Sequence, residues 1–273
     1  MLRYRTVVAS GSGNTISVMV VGPETPTTKT PVWFVHPTNL RKEFWLDVIR
    51  EIAVDRVCYA VDSAGHGESS DSVEYGVEAW VADHRDVILA LGLDRLHLVG
   101  GSLGGAIIVG LAGELPEVVT GLASFGGCLF STPAPPGETP ALIAMMEDLG
   151  VEKAFEQVAV DATAPGTAPD ILATVHHLTN RHGLDTIRAL WGPTIASDAS
   201  RWAPAVRCPA LIVNGEFDAT CTPAHGRLMA DAVRGTFVEM AGVGHLPALE
   251  DPTGTLALLL PHLDAAEPGE AAA

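Results

Sequence analysis

The chain has 273 residues, 47% hydrophobic and 18% charged, with a formal net charge of −17 at pH 7. Such a composition fills a globular core and excludes a disordered chain, and the acidity without any cluster of Lys and Arg argues against nucleic acid or an anionic membrane surface as partner. No segment approaches the roughly 20 consecutive apolar residues of a membrane span, and Met1 to Arg5 lead into alternation rather than a leader-like apolar run, so the expected setting is soluble, reducing and cytoplasmic.

Taken in chain order, the first two strands are Arg5 to Ala9 and Thr15 to Val21, and the intervening Gly11-Ser12-Gly13-Asn14 suits an antiparallel edge hairpin. Short Val/Ile/Leu-rich runs then recur between helix-like stretches, the pattern of parallel strands joined by crossover helices. The strands are read at Val32 to His36, Arg56 to Val61, Leu96 to Gly100, Thr120 to Phe125, Ala210 to Asn214 and Thr236 to Met240. Helices are read at Glu43 to Ala53, Val77 to Leu91, Leu103 to Ala112, Ala224 to Ala232 and Pro252 to Leu263. The expected fold class is therefore α/β, a mostly parallel eight-stranded sheet flanked by helices.

Residues 130–207 lack strand signal. Pro133, Pro135 and Pro136 give way to helical stretches at Leu142 to Leu149 and Ile171 to Asn180, which reads as a helical insertion lying over the carboxyl ends of the strands as a cap or lid. The organisation is thus 1–129 core, 130–207 cap insertion, 208–264 core, and 265–273 a flexible tail.

The chemistry centres on Gly100-Gly101-Ser102-Leu103-Gly104, a G-x-S-x-G that follows a strand and opens a helix. A serine hydroxyl is a weak nucleophile, so it must be presented on a tight, exposed turn where a base can reach it; flanking glycines permit that backbone, and the helix N-terminus faces developing negative charge. A base and an orienting acid should follow in the order Asp or Glu, then His. After one strand comes Gly215-Glu216-Phe217-Asp218, and after the last comes Gly242-Val243-Gly244-His245. Ser102, Asp218 and His245 are accordingly the candidate nucleophile, acid and base, with Glu216, nearer the strand end, as the competing acid. An oxyanion needs two N–H donors: Leu103 supplies one and Thr38 the other, because Pro37 in Val35-His36-Pro37-Thr38-Asn39 has no N–H.

Other residues have structural readings. His36 and His66, the latter within Asp62-Ser63-Ala64-Gly65-His66-Gly67, sit in turns after strands and are read as hydrogen-bonding groups rather than bases. His176, His177 and His182 lack metal-ligand spacing, and Trp191 and Trp202 either line a pocket or pack helices. The four cysteines, Cys58, Cys128, Cys208 and Cys221, are scattered without CxxC pairs and are read as buried free thiols, with neither zinc nor a disulfide network.

Across His36-Pro37, Gly65-His66-Gly67, Gly100 to Gly104, Gly215 to Asp218 and Gly244-His245, the chain resembles the α/β-hydrolase superfamily, and within it the capped esterase, enol-lactonase and carbon–carbon bond hydrolase group. The resemblance implies the α/β-hydrolase fold and acyl chemistry without any cofactor or metal. One departure is that Pro37 stands where the family commonly has Gly. A small-molecule carboxylic ester or lactone is the expected substrate; a thioester, a C–C bond, a lyase or cyclase step, and a non-catalytic receptor are the alternatives.

Overall fold

The computed structural model describes residues 2–9, 11–130, 141–179 and 182–267. Eight strands form one sheet: β1 (Leu2–Val8), β2 (Thr15–Val21), β3 (Val32–Val35), β4 (Cys58–Val61), β5 (Leu96–Gly101), β6 (Val119–Phe125), β7 (Ala210–Gly215) and β8 (Thr236–Met240), in the spatial order β1-β2-β4-β3-β5-β6-β7-β8. β1 with β2 and β2 with β4 pair antiparallel, and every later pairing is parallel. The edge hairpin and the mostly parallel sheet are as the sequence predicts.

Because strand side chains alternate between faces, each central strand feeds two cores. Trp33, Leu98 and Ile212 enter the core shared with Val81 of helix α2 (Val77–Ala90), Ile107 of α3 (Leu103–Glu114) and Met229 of α8 (Pro223–Val233). Phe34, Val99 and Val213 point the other way, toward Ile49 of α1 (Leu46–Ile52) and Leu259 of α10 (Pro252–Ala265). Burial on both faces explains why these strands read as continuous apolar runs.

Among the described residues, four α-helices lie between β6 and β7: α4 (Ala141–Leu149), α5 (Val151–Asp161), α6 (Pro169–His177) and α7 (Leu184–Ile195). Leu142, Met146, Phe155 and Ile187 give them a small core of their own. The sequence identified only α4 and α6; α5 leaves Glu152, Lys153 and Glu156 exposed and buries Ala154, Phe155 and Ala159, and α7 carries Pro193 in its last turn. Pro133, Pro135, Pro136 and the Asn180 end of the predicted helix lie outside the described residues.

Several boundaries differ. The helix expected from Glu43 is a 3-10 turn (Lys42–Trp45) followed by α1, with the buried Lys42 held by its N–H and its Nζ to the Asp62 carboxylate at 2.7 and 2.6 Å. Residues 265–267, expected in the tail, are tied to the core: α10 reaches Ala265, and Asp264 and Glu267 both pair with the buried Arg56, whose charge requires carboxylates beside it. Residues 268–273 of the expected tail lie outside the described residues. Cys58, Cys128 and Cys221 are buried free thiols, whereas Cys208 is half-buried. No helix among the described residues is long and apolar enough to cross a membrane.

Candidate active site

Ser102 occupies the single position between β5 and α3, at φ 51° and ψ −120°, a left-handed conformation that costs a non-glycine residue roughly 1–3 kcal/mol. The surroundings hold it there. A side chain on Gly100 would collide with the Gly104 carbonyl, and one on Gly104 would lie 2.5 Å from the carbonyl oxygen of Val35. Both flanking glycines of G-x-S-x-G are therefore demanded by backbone contact: one lets the turn close, the other lets α3 press on the end of β3. The Ser102 N–H donates to Phe125 O at 3.3 Å, tying the turn to β6.

Asp218 lies in the turn after β7, its N–H donating to Gly215 O at 3.1 Å. Its Oδ1 accepts the N–H groups of Thr220 and Cys221 at 2.9 and 2.8 Å, which fixes the carboxylate. His245, in the loop after β8, places Nδ1 at 2.9 Å from Asp218 Oδ2 and Nε2 at 2.9 Å from Ser102 Oγ. The three side chains named from sequence, 143 positions apart at the extreme, are thus brought together and all are buried. With Nδ1 donating to Asp218, Nε2 is left to accept the Ser102 hydroxyl proton. Burial alone would push the His245 pKa down, but the charge and hydrogen bond of Asp218 outweigh it and the value is raised. Glu216 faces elsewhere; its exposed carboxylate accepts the Gly242 N–H at 2.9 Å.

Thr38 and Leu103 both line the cavity at Ser102. The Thr38 loop is shaped by Asn39 at φ 57° and by a Leu40 N–H to Pro37 O bond of 3.2 Å. Pro37 fits because Gly101 has no side chain; a Cβ there would lie 3.1 Å from Pro37 Cγ. His36 anchors the loop. Its Nδ1 lies 2.7 Å from Pro37 O, and its Nε2 accepts the Ser63 N–H at 3.0 Å. Burial lowers the His36 pKa to about 4, so the ring is neutral near pH 7, with Nδ1–H as the donor. His66 is likewise buried, its Nδ1 at 3.2 Å from Ala64 O.

Two chambers meet at Ser102, sharing Thr38, Trp191 and Thr220. The first, about 700 Å³ with its mouth, contains His245 and apolar side chains from the insertion: Leu142, Phe155, Val158 and Val175. The second contains Leu103, Ala106, Thr194 and the thiols of Cys128 and Cys221, whose sulfurs are 2.9 Å apart. Trp191 is therefore a pocket residue, whereas Trp202 packs over Gly113 and donates to Glu114 at 3.3 Å. Phe155 and Val158 were missed in the sequence; the signal was the spacing of Val151, Phe155, Val158 and Ala162, one helical face. His177 bonds to Arg41 and His182 to Asp71, and among the described residues no group of His, Cys, Asp and Glu is arranged to hold a metal.

The model of the alpha/beta hydrolase family matches residues 34–258. A thermophilic esterase from Thermogutta terrifontis superposes with a TM-score of 0.84 at 20% identity, covering 97% of this chain and 100% of that one. The N-acyl homoserine lactone degrading enzyme Est816 superposes with a TM-score of 0.78 at 25% identity, covering 94% and 99%. Proline iminopeptidase of Lactobacillus helveticus is 26% identical over 271 residues, 86% of this chain and 90% of that protein.

Proposed function

Since the chain belongs to the alpha/beta hydrolase family, we propose that it is a serine hydrolase that cleaves a small-to-medium, largely apolar carboxylic ester or lactone through an acyl-enzyme. Ser102 Oγ attacks the carbonyl carbon as His245 Nε2 takes its proton. Asp218 stabilises the imidazolium, and the N–H groups of Leu103 and Thr38 hold the oxyanion. His245 then protonates the departing alkoxide, and a water deprotonated by the same ring hydrolyses the acyl-Ser102 ester. No cofactor is required by this cycle. The observation that carries the reading is the unbroken relay from Asp218 Oδ2 to His245 to Ser102 Oγ, 2.9 Å at each step, opening on an apolar chamber.

The chambers also orient the substrate. His245 has to reach both Ser102 and the leaving oxygen, so the leaving group occupies the chamber that contains His245 and is walled by Phe155, Val158 and Val175. The acyl group then extends past Leu103 toward Ala106 and Cys128. The residues 130–207 act as the cap that supplies the leaving-group wall. The likeness to the lactone-degrading Est816, at 25% identity, supports an ester or lactone bond.

The test is labelling with a fluorophosphonate probe together with turnover of p-nitrophenyl esters and a lactone panel. Labelling at Ser102, burst kinetics and loss of both in Ser102→Ala are expected. A Ser102→Ala protein with full esterase activity would refute the assignment, and labelling without ester or lactone turnover would redirect it to a thioester or C–C bond.

A further inference from the structure

His245 is held by more than its ring. Immediately after it, the short helix α9 (Pro247–Glu250) ends in a carboxylate that folds back over the histidine loop. Glu250 Oε2 accepts the Gly244 N–H at 2.9 Å, and Oε1 accepts the Leu246 N–H at 2.9 Å, so both neighbours of His245 are bound by one side chain. The same Oε2 accepts a third N–H, from Ala164 in the connection between α5 and α6, at 2.7 Å. In return the His245 N–H donates to Ala162 O at 2.7 Å. Gly244 makes this contact possible, since a Cβ there would lie 2.6 Å from Ala164 N and 2.7 Å from Thr163 C.

Ring and backbone are thus fixed by different partners. Asp218 sets how the imidazole is turned, but a ring hung from a backbone displaced by 1 Å would miss Ser102 Oγ however well it met Asp218. We infer that Glu250 is a positioning residue which, with residues 162–164 of the insertion, clamps the His245 backbone, so that the cap aligns the general base as well as walling the cavity. This rests on the reading of Ser102 and His245 as nucleophile and base. The carboxylate suits the task because two oxygens accept three N–H groups and offer no proton; a glutamine at this position would turn an NH₂ toward at least one of them.

Glu250→Gln, with Glu250→Asp beside it, tests the clamp in steady-state turnover of a p-nitrophenyl ester across pH 5–9. The expected result for Glu250→Gln is a fall in kcat of about 10-fold or more, as misplacement of a reacting group produces, with KM within about twofold and the fold intact by circular dichroism. The titratable groups acting on His245 are Asp218, Cys128 and Glu250, each of which favours the imidazolium. Removing the Glu250 charge therefore moves the acid limb of kcat/KM to lower pH, a change that a merely structural residue would not cause. Unchanged kcat and limb, with or without a lower melting temperature, overturn the proposal. Hydrogen exchange on the wild-type protein keeps the question decidable if Glu250→Gln fails to fold: peptides spanning 160–166 and 242–250 should be protected to the same degree, and rapid exchange of the first beside a protected second rejects the clamp. Absence of fluorophosphonate labelling at wild-type Ser102 would instead sink the catalytic reading, leaving that exchange pattern untouched.

Discussion

Glu267 sits past the last helix, where a loose tail was expected, and its replacement by glutamine should be felt throughout the domain. Its carboxylate pairs with Arg56, whose side chain is 1% exposed, and accepts the Thr30 N–H at 3.1 Å and the Thr30 hydroxyl at 2.7 Å. Burial by itself would raise the Glu267 pKa, but the bonds from Thr30 and Arg56 prevail and hold it at about 2, against 4.5 for the free side chain. At ~1.4 kcal/mol per pH unit that interval sets a ceiling of about 3 kcal/mol, and solvent screening of a partly exposed carboxylate reduces it to about 1–2 kcal/mol. The folded-state pKa is depressed, so this stability is present above pH 4.5 and is lost as pH falls from there toward 2. Urea unfolding of wild type and Glu267→Gln at pH 7, 5 and 3.5 measures it; the variant should unfold at lower urea at pH 7, with a gap that narrows at pH 3.5. In a thermal scan the pH 7 deficit corresponds to roughly 2–8 °C, at about 2–4 °C per kcal/mol for a domain of this size. Identical midpoints at pH 7, or a gap that widens on acidification, would refute the anchoring role.

The remaining predictions concern the site. Asp218→Asn should fold normally and lose about 10⁴ in kcat, because the amide presents an N–H to His245 Nδ1 and favours the wrong tautomer; single-turnover kinetics with a circular-dichroism control measure it, and a loss under tenfold contradicts the role. Since the base acts as neutral imidazole and the His245 pKa is raised above 6.5, kcat/KM should climb with pH through a limb above 6.5, and a plateau extending below that value rules the assignment out. Gly104→Ala places a Cβ 2.5 Å from the Val35 carbonyl oxygen, so thermal melts should show a loss of about 1–3 kcal/mol or more, with probe labelling at Ser102 slowed in the folded fraction; wild-type stability would mean that α3 does not press on β3.

Much of the core was legible from local pattern. Thr15–Val21 and Thr236–Met240 appear as strands at the predicted bounds, because runs of β-branched residues between turn signals carry their own preference. The insertion was less legible: α5 fully buries Ala154, Phe155 and Ala159 alone, and that burial depends on α4 and α6 lying against it. Likewise α7 continues through Gly192-Pro193, which by local rules ends a helix.

What local order determines here is the set of turns and the chain order Ser102, Asp218, His245. The Ser102 turn is dictated largely by its own neighbourhood, since Gly100 is required by the Gly104 carbonyl four positions on, although Gly104 is itself required by the end of β3, 69 positions back; and a polar residue just past a strand end lies at the sheet's edge. Which of Glu216 and Asp218 meets the histidine is a different kind of question, as is which carboxylate accompanies Arg56 or which backbone Glu250 binds. Those partners are separated by 27, 211 and 86 positions. Pairings at such range come from the twist of the sheet and the packing of helices on it, which bring strangers in sequence within 3 Å, and only the folded chain decides them.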